Sequence, residues 1–78
     1  MRNPEIAVLL AEKAVKNKET PQILDTLAES YHAAGRYREA VEAGKKALAL
    51  AGPDKTYYEN QLVKFLKSET LEPLNREP

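Results

Sequence analysis

Apolar side chains recur at spacings of three and four along most of this chain, and proline or glycine interrupts them at intervals. That spacing places the apolar positions on one face of a helix. The first stripe is Ile6, Leu9, Leu10 and Ala14, opened by Asn3, which can cap free amides, and by Pro4, whose missing donor is not needed there. It predicts a helix over 3–17. Thr20 and Pro21 repeat the device before Ile23, Leu24, Leu27, Ala28, Tyr31 and Ala34, and Gly35 supplies the left-handed stop. A third stripe, Tyr37, Ala40, Val41, Ala47, Leu48 and Ala51, ends at Gly52 and Pro53. The fourth is Tyr58, Leu62, Phe65 and Leu66, with Asp54 as its expected cap and Lys64 and Lys67 near its negative end. Beyond Ser68, Thr70, Pro73 and Pro78 break the period and predict an irregular tail over 69–78, from which Leu71 and Leu74 can fold back.

The stripes repeat. Ala7, Ala11 and Ala14 return as Ala40, Gly44 and Ala47, all three at the same offset. Residues 21–54 read as one antiparallel hairpin bent at Gly35, with Tyr31 and Tyr37 expected to meet across the bend. Residues 3–17 align with the second helix of that hairpin, and residues 55–68 with its first, Leu62 and Leu66 standing for Leu27 and Tyr31 at one shared offset. Residues 1–68 thus form one domain of a half unit, a whole unit and a half unit. Stacked arrays usually need about three units, so the pattern predicts a C-terminal piece of a longer protein. Gly44 lowers helix propensity by about 1 kcal/mol relative to alanine, which predicts a close helix approach at that point.

Composition narrows the class. Seventy-eight residues make at most one small domain, which buries only about 60% of the surface its unfolded chain exposes. The alanine and leucine content and the scarcity of β-branched runs predict an all-α fold. Twelve basic residues balance twelve acidic ones, so no general field draws the chain to nucleic acid or to an anionic membrane. The short basic groups Lys13, Lys16, Lys18 and Arg36, Arg38 are interrupted by acids and read as solvated helix ends. No apolar run reaches the roughly 20 residues of a membrane span, and residues 1–14 lack the plan of a signal peptide. Without cysteine there is no disulfide and no thiolate metal site, and the compartment stays open.

Catalytic groups do not converge in the sequence. His32 is the only imidazole, with Glu29 one turn away and no further ligand type near, so it reads as an exposed histidine. Ser30 and Ser68 lie in helices without an expected neighbouring base, and no glycine-rich loop follows a strand. Tyr31, Tyr37, Tyr58 and Phe65 fall on core stripes, which leaves Tyr57 as the one surface anchor. The expectation is a protein that is not an enzyme, with no catalytic, cofactor or metal residue.

The order Leu24, Leu27, Ala28, Tyr31, Gly35, Tyr37, Ala40, Ala47, Leu48 resembles the tetratricopeptide repeat family, a helix-turn-helix unit of roughly 34 residues. The match covers Pro21 to Asp54 and is weaker on either side. Leu24 stands for the usual tryptophan, Ala28 for glycine, Gly44 for a large aromatic residue, and Pro53 falls one place late. The resemblance implies antiparallel helical hairpins stacked as a short superhelix, about four helices in all. It also implies a concave groove, lined by first helices, that holds a peptide or a partner's helix. By that analogy Gln22, Asp25, Thr26, Glu29 and His32 face the groove, with Tyr57, Asn60, Gln61 and Lys64 beside them. Family members that clamp a terminal carboxylate place lysine and asparagine where Asp25 and Glu29 stand here, so a basic group on another protein is the better match. Self-association through the unpaired half units is the alternative reading.

Overall fold

The computed structural model describes the backbone of residues 3–75 and the side chains of residues 3–70. Four α-helices follow one another: α1 (Pro4–Asn17), α2 (Pro21–Ala33), α3 (Tyr37–Leu50) and α4 (Lys55–Asn75), with a short 3-10 turn at Gly52–Asp54. No strand occurs among the described residues.

The helix starts follow from local chemistry. Asn3 Oδ1 accepts from the Glu5 and Ile6 amides at 3.0 and 3.4 Å, and Thr20 Oγ1 accepts from the Ile23 amide at 3.1 Å. Each cap stabilises its helix by about 1 kcal/mol. At the end of α2, Gly35 takes φ +78°. Its amide donates to the His32 carbonyl at 3.1 Å, and that of Arg36 to the Tyr31 carbonyl at 2.9 Å. These two reversed bonds satisfy carbonyls that the helix would leave open and turn the chain back on itself.

The connections between α1, α2 and α3 are only three residues long, so neighbouring helices run antiparallel. Hydrogen bonds from α2 to α4 step forward together, Asp25 to Tyr57, Glu29 to Lys64 and His32 to Ser68, so these two helices run in the same direction. The result is a slab of 42 × 29 × 18 Å with its core along the seams between successive helices. One cluster gathers Ala11, Leu27, Ala28, Ala40, Val41, Ala43 and Phe65, and a second gathers Leu24, Ala47, Ala51 and Tyr58. Small residues dominate, so the helices stand close. At Gly44 an added Cβ would lie 3.1 Å from Phe65 Cδ2 and 3.4 Å from Leu62 Cδ1, the close approach the sequence predicts.

Four expectations need correction. On α1 the buried face is Val8 and Ala11, with Val15 half-buried, whereas Ile6, Leu9 and Leu10 are 53%, 63% and 64% exposed. Val8, Ala11 and Val15 precede Val41, Gly44 and Leu48 by one constant offset, so α1 repeats the face that α3 turns to α4. Among the described residues, no helix covers its other face. On α4 the core residues are Tyr58 and Phe65, the counterparts of Leu24 and Tyr31 one repeat earlier, and Leu66 stays 38% exposed.

Asp54 closes the 3-10 turn that runs straight into α4 instead of standing as a separate cap. The irregular tail is helical as far as Asn75. Pro73 lies two residues before the end, where its missing amide removes only one bond, and Glu69, one turn before it, pairs with Arg38 at 3.7 Å. Residues 76–78 lie outside the described residues, as do the side chains of Leu71 and Leu74.

Candidate functional site

Of the nine residues assigned to a groove, five form a mutually bonded strip, three are open to solvent, and His32 packs apart from both. Asp25 accepts from the Tyr57 hydroxyl and from Gln61 Nε2, both at 3.1 Å. Gln61 Nε2 also donates to Glu29 at 2.6 Å, and Lys64 Nζ reaches the same Glu29 oxygen at 2.6 Å. The strip exists because α2 and α4 are parallel, which places residues about one period apart side by side. Partial burial disfavours the charge on Glu29, but the hydrogen bonds from Lys64 and Gln61 outweigh it and hold its carboxyl below the usual range. The Tyr57 hydroxyl is pushed up by its bond to Asp25. Gln22 and Asn60 are exposed, and Thr26, also exposed, donates its hydroxyl to the Gln22 carbonyl at 3.1 Å.

His32 is not an open groove residue. Its ring is half-buried 5.3 Å from Tyr37 and 5.5 Å from Phe65, and its Nε2 lies 2.7 Å from Ser68 Oγ. The expectation that Ser68 has no neighbouring base is therefore corrected, because α4 carries it across the end of α2. A nucleophilic pair needs a third group to orient the imidazole and amide donors for a developing oxyanion. Glu29, the nearest acid along α2, is engaged by Gln61 and Lys64, and the amides around Ser68 lie inside α4. What remains is a tie between two helices.

Tyr37 therefore meets His32, while Tyr31 turns toward α1, against the expectation that the two tyrosines meet. The Tyr31 hydroxyl donates to Glu12 at 2.5 Å, and burial together with that carboxylate pushes its pKa up to about 12. Arg36 sits 5.0 Å over the Tyr31 ring and bridges Glu39 at 2.7 Å and Glu5 at 3.0 Å.

Beside the polar strip, α1 and α2 enclose an open hollow of about 520 Å³. Ile6, Ala7 and Leu10 line it from α1, and Asp25, Thr26, Glu29, Ser30 and Ala33 from α2. This hollow is not the groove expected from the sequence, which ran along α2 and α4; Asp25, Thr26 and Glu29 line it from α2, and Ile6 and Leu10 open into it because they lie off the buried face of α1. Extending the repeat echo from Val41 back to Val8 would have found the buried face of α1 and released the other. A hollow lined by both apolar and polar side chains accepts an apolar side chain next to a hydrogen-bonding or cationic one.

Among the described residues, no group of three or more histidine, cysteine, aspartate or glutamate side chains is placed to hold a metal ion. No described helix is long and apolar enough to cross a membrane. In comparisons with family models, with curated proteins and with solved structures, nothing matches this chain.

Proposed function

We propose that the chain is a tetratricopeptide-like helical module that binds a helix or peptide of another protein in the hollow between α1 and α2. The observation that carries this reading is the exposure of Ile6 and Leu10 in a hollow that Asp25 and Glu29 also line. Fully covering such side chains is worth about 1.5–3 kcal/mol each, enough for a few anchors to hold a short segment. Asp25 gives the site its preference. Its partners Tyr57 and Gln61 are neutral donors, so it keeps a charge that a lysine or arginine of the bound segment can meet. Glu29 already has Lys64.

The bound segment is therefore amphipathic, with two or three apolar residues on one side and a basic residue beside them. Immobilised protein exposed to a cell extract should retain a partner that Leu10→Lys releases and Asp25→Lys weakens. Titration with basic and acidic amphipathic peptides, followed by amide chemical shifts, should move residues of α1 and α2 with the basic peptide only. Shifts confined to other helices, or retention that Leu10→Lys leaves intact, would contradict the reading.

A further inference from the structure

We propose that Lys64 is an internal competitor of the bound segment: its ammonium holds Glu29 in the free protein, and a lysine or arginine of the segment takes that carboxylate over on binding. Such a role rests on the binding reading and adds a restraint that the chain places on its own site.

Glu29 is shared between the hollow and α4. It lines the hollow from α2, and its Oε2 accepts from Gln61 Nε2 and from Lys64 Nζ, both at 2.6 Å. The donors to Asp25 and Glu29 are Tyr57, Gln61 and Lys64, and of these Lys64 alone is charged. Two carboxylates against one ammonium leave the strip one net negative charge, and both charges stand uncompensated once Lys64 withdraws. A cation of the bound segment thus meets a weaker field than Asp25 and Glu29 together would supply.

Exchange costs little. The Lys64 and Glu29 side chains are 44% and 43% exposed, so water already reaches the pair, and pairs of this kind contribute little to stability. Phe65 is fully buried against Gly44 and fixes the backbone beside Lys64, whose ammonium also lies 5.0 Å over the Phe65 ring. On leaving Glu29, Lys64 keeps the ring within reach and regains water. Gln61 stays on Glu29 and keeps the carboxylate in place for the incoming cation.

Titration of the full chain at physiological salt, followed by amide chemical shifts, tests this with two probes. One is an amphipathic peptide with leucines on one face and a lysine beside them, and the other carries glutamine in place of that lysine. Lys64→Gln should tighten the lysine peptide about two- to fivefold, the span of an exposed ion pair, and leave the neutral peptide unchanged. Lys67→Gln removes the same charge from an exposed position of α4 and should change neither. In a Glu29→Gln background the gain from Lys64→Gln should vanish. Saturation of the unsubstituted chain with the lysine peptide should move the Lys64 side-chain signals to those of a free lysine.

Equal affinity of the unsubstituted chain and Lys64→Gln for the lysine peptide, with shifts in α1 and α2 present, would overturn the competition and leave the binding reading standing. A gain that extends to the neutral peptide, or that Lys67→Gln reproduces, would also overturn it. Absence of binding by both the unsubstituted chain and Lys64→Gln would overturn the binding reading and the competition with it.

Discussion

Phe65 lies against the backbone of Gly44, its Cδ2 only 3.1 Å from where a Cβ would stand. The ring is fully buried, and the glycine exists to admit it. Leucine at 44 should overpack the seam and cost about 1–3 kcal/mol, whereas Phe65→Ala should open a cavity and cost about 3–5 kcal/mol. Urea unfolding followed by circular dichroism measures both. If the contact is as described, Phe65→Leu combined with Gly44→Ala should be less destabilising than the two single losses added together.

Gly35 carries φ +78° with open space around it, so its requirement is purely conformational. Gly35→Ala should lower stability by about 1–2 kcal/mol through the left-handed backbone alone. Gly35→Asn should lose less, because asparagine tolerates that region. Equal losses for the two variants would show that the turn relaxes.

Glu29 is held below the ordinary carboxyl value of 4.5. A depressed folded-state pKa means that the unfolded chain binds the proton first, so this contribution is complete above about 4.5 and is lost as pH falls through the lower folded value. Glu39 behaves alike through its hydrogen bonds to Arg36. Thermal midpoints should therefore fall on acidification below 4.5, and Glu29→Gln should flatten that limb without shifting the alkaline one.

Tyr31 gives the opposite sign. Its hydroxyl is raised from 10 to about 12 by burial first and by Glu12 second. The neutral phenol favours the folded state, so its contribution is present below pH 10 and disappears as pH rises through about 12. Ultraviolet titration of the phenolates should show Tyr57 and Tyr58 ionising above the free value and a Tyr31 step at about 12. In Glu12→Gln that step should move down, yet stay above the value of a free phenol because burial remains.

Much of this architecture is legible in the sequence because caps and stops act locally. Asn3 with Pro4, Thr20 with Pro21, and Gly35 each depend on neighbours within a few residues, and each ends or begins a helix at the expected place. Which face of a helix is buried depends on what packs against it, and there periodicity misleads. On α1 two apolar stripes compete, and the larger residues Ile6, Leu9 and Leu10 lie on the open one.

The same limit explains His32 and Ser68, which are far apart in the chain and meet only through the parallel course of α2 and α4. For the candidate groove, Asp25, Glu29, Tyr57, Gln61 and Lys64 were legible as a group. Their bonds to one another were not, because an offset between helices has no local signature.

Among the described residues α1 packs against α2 alone, while α2 and α3 each lie between neighbouring helices. Stability in such a one-dimensional stack is carried by adjacent pairs, so the outermost layer opens at lower free energy than the middle. Amide protons of α1 should exchange with deuterium before those of α2 and α3. Whatever settles on Ile6 and Leu10 would then slow that exchange, so the terminal layer itself reports occupancy.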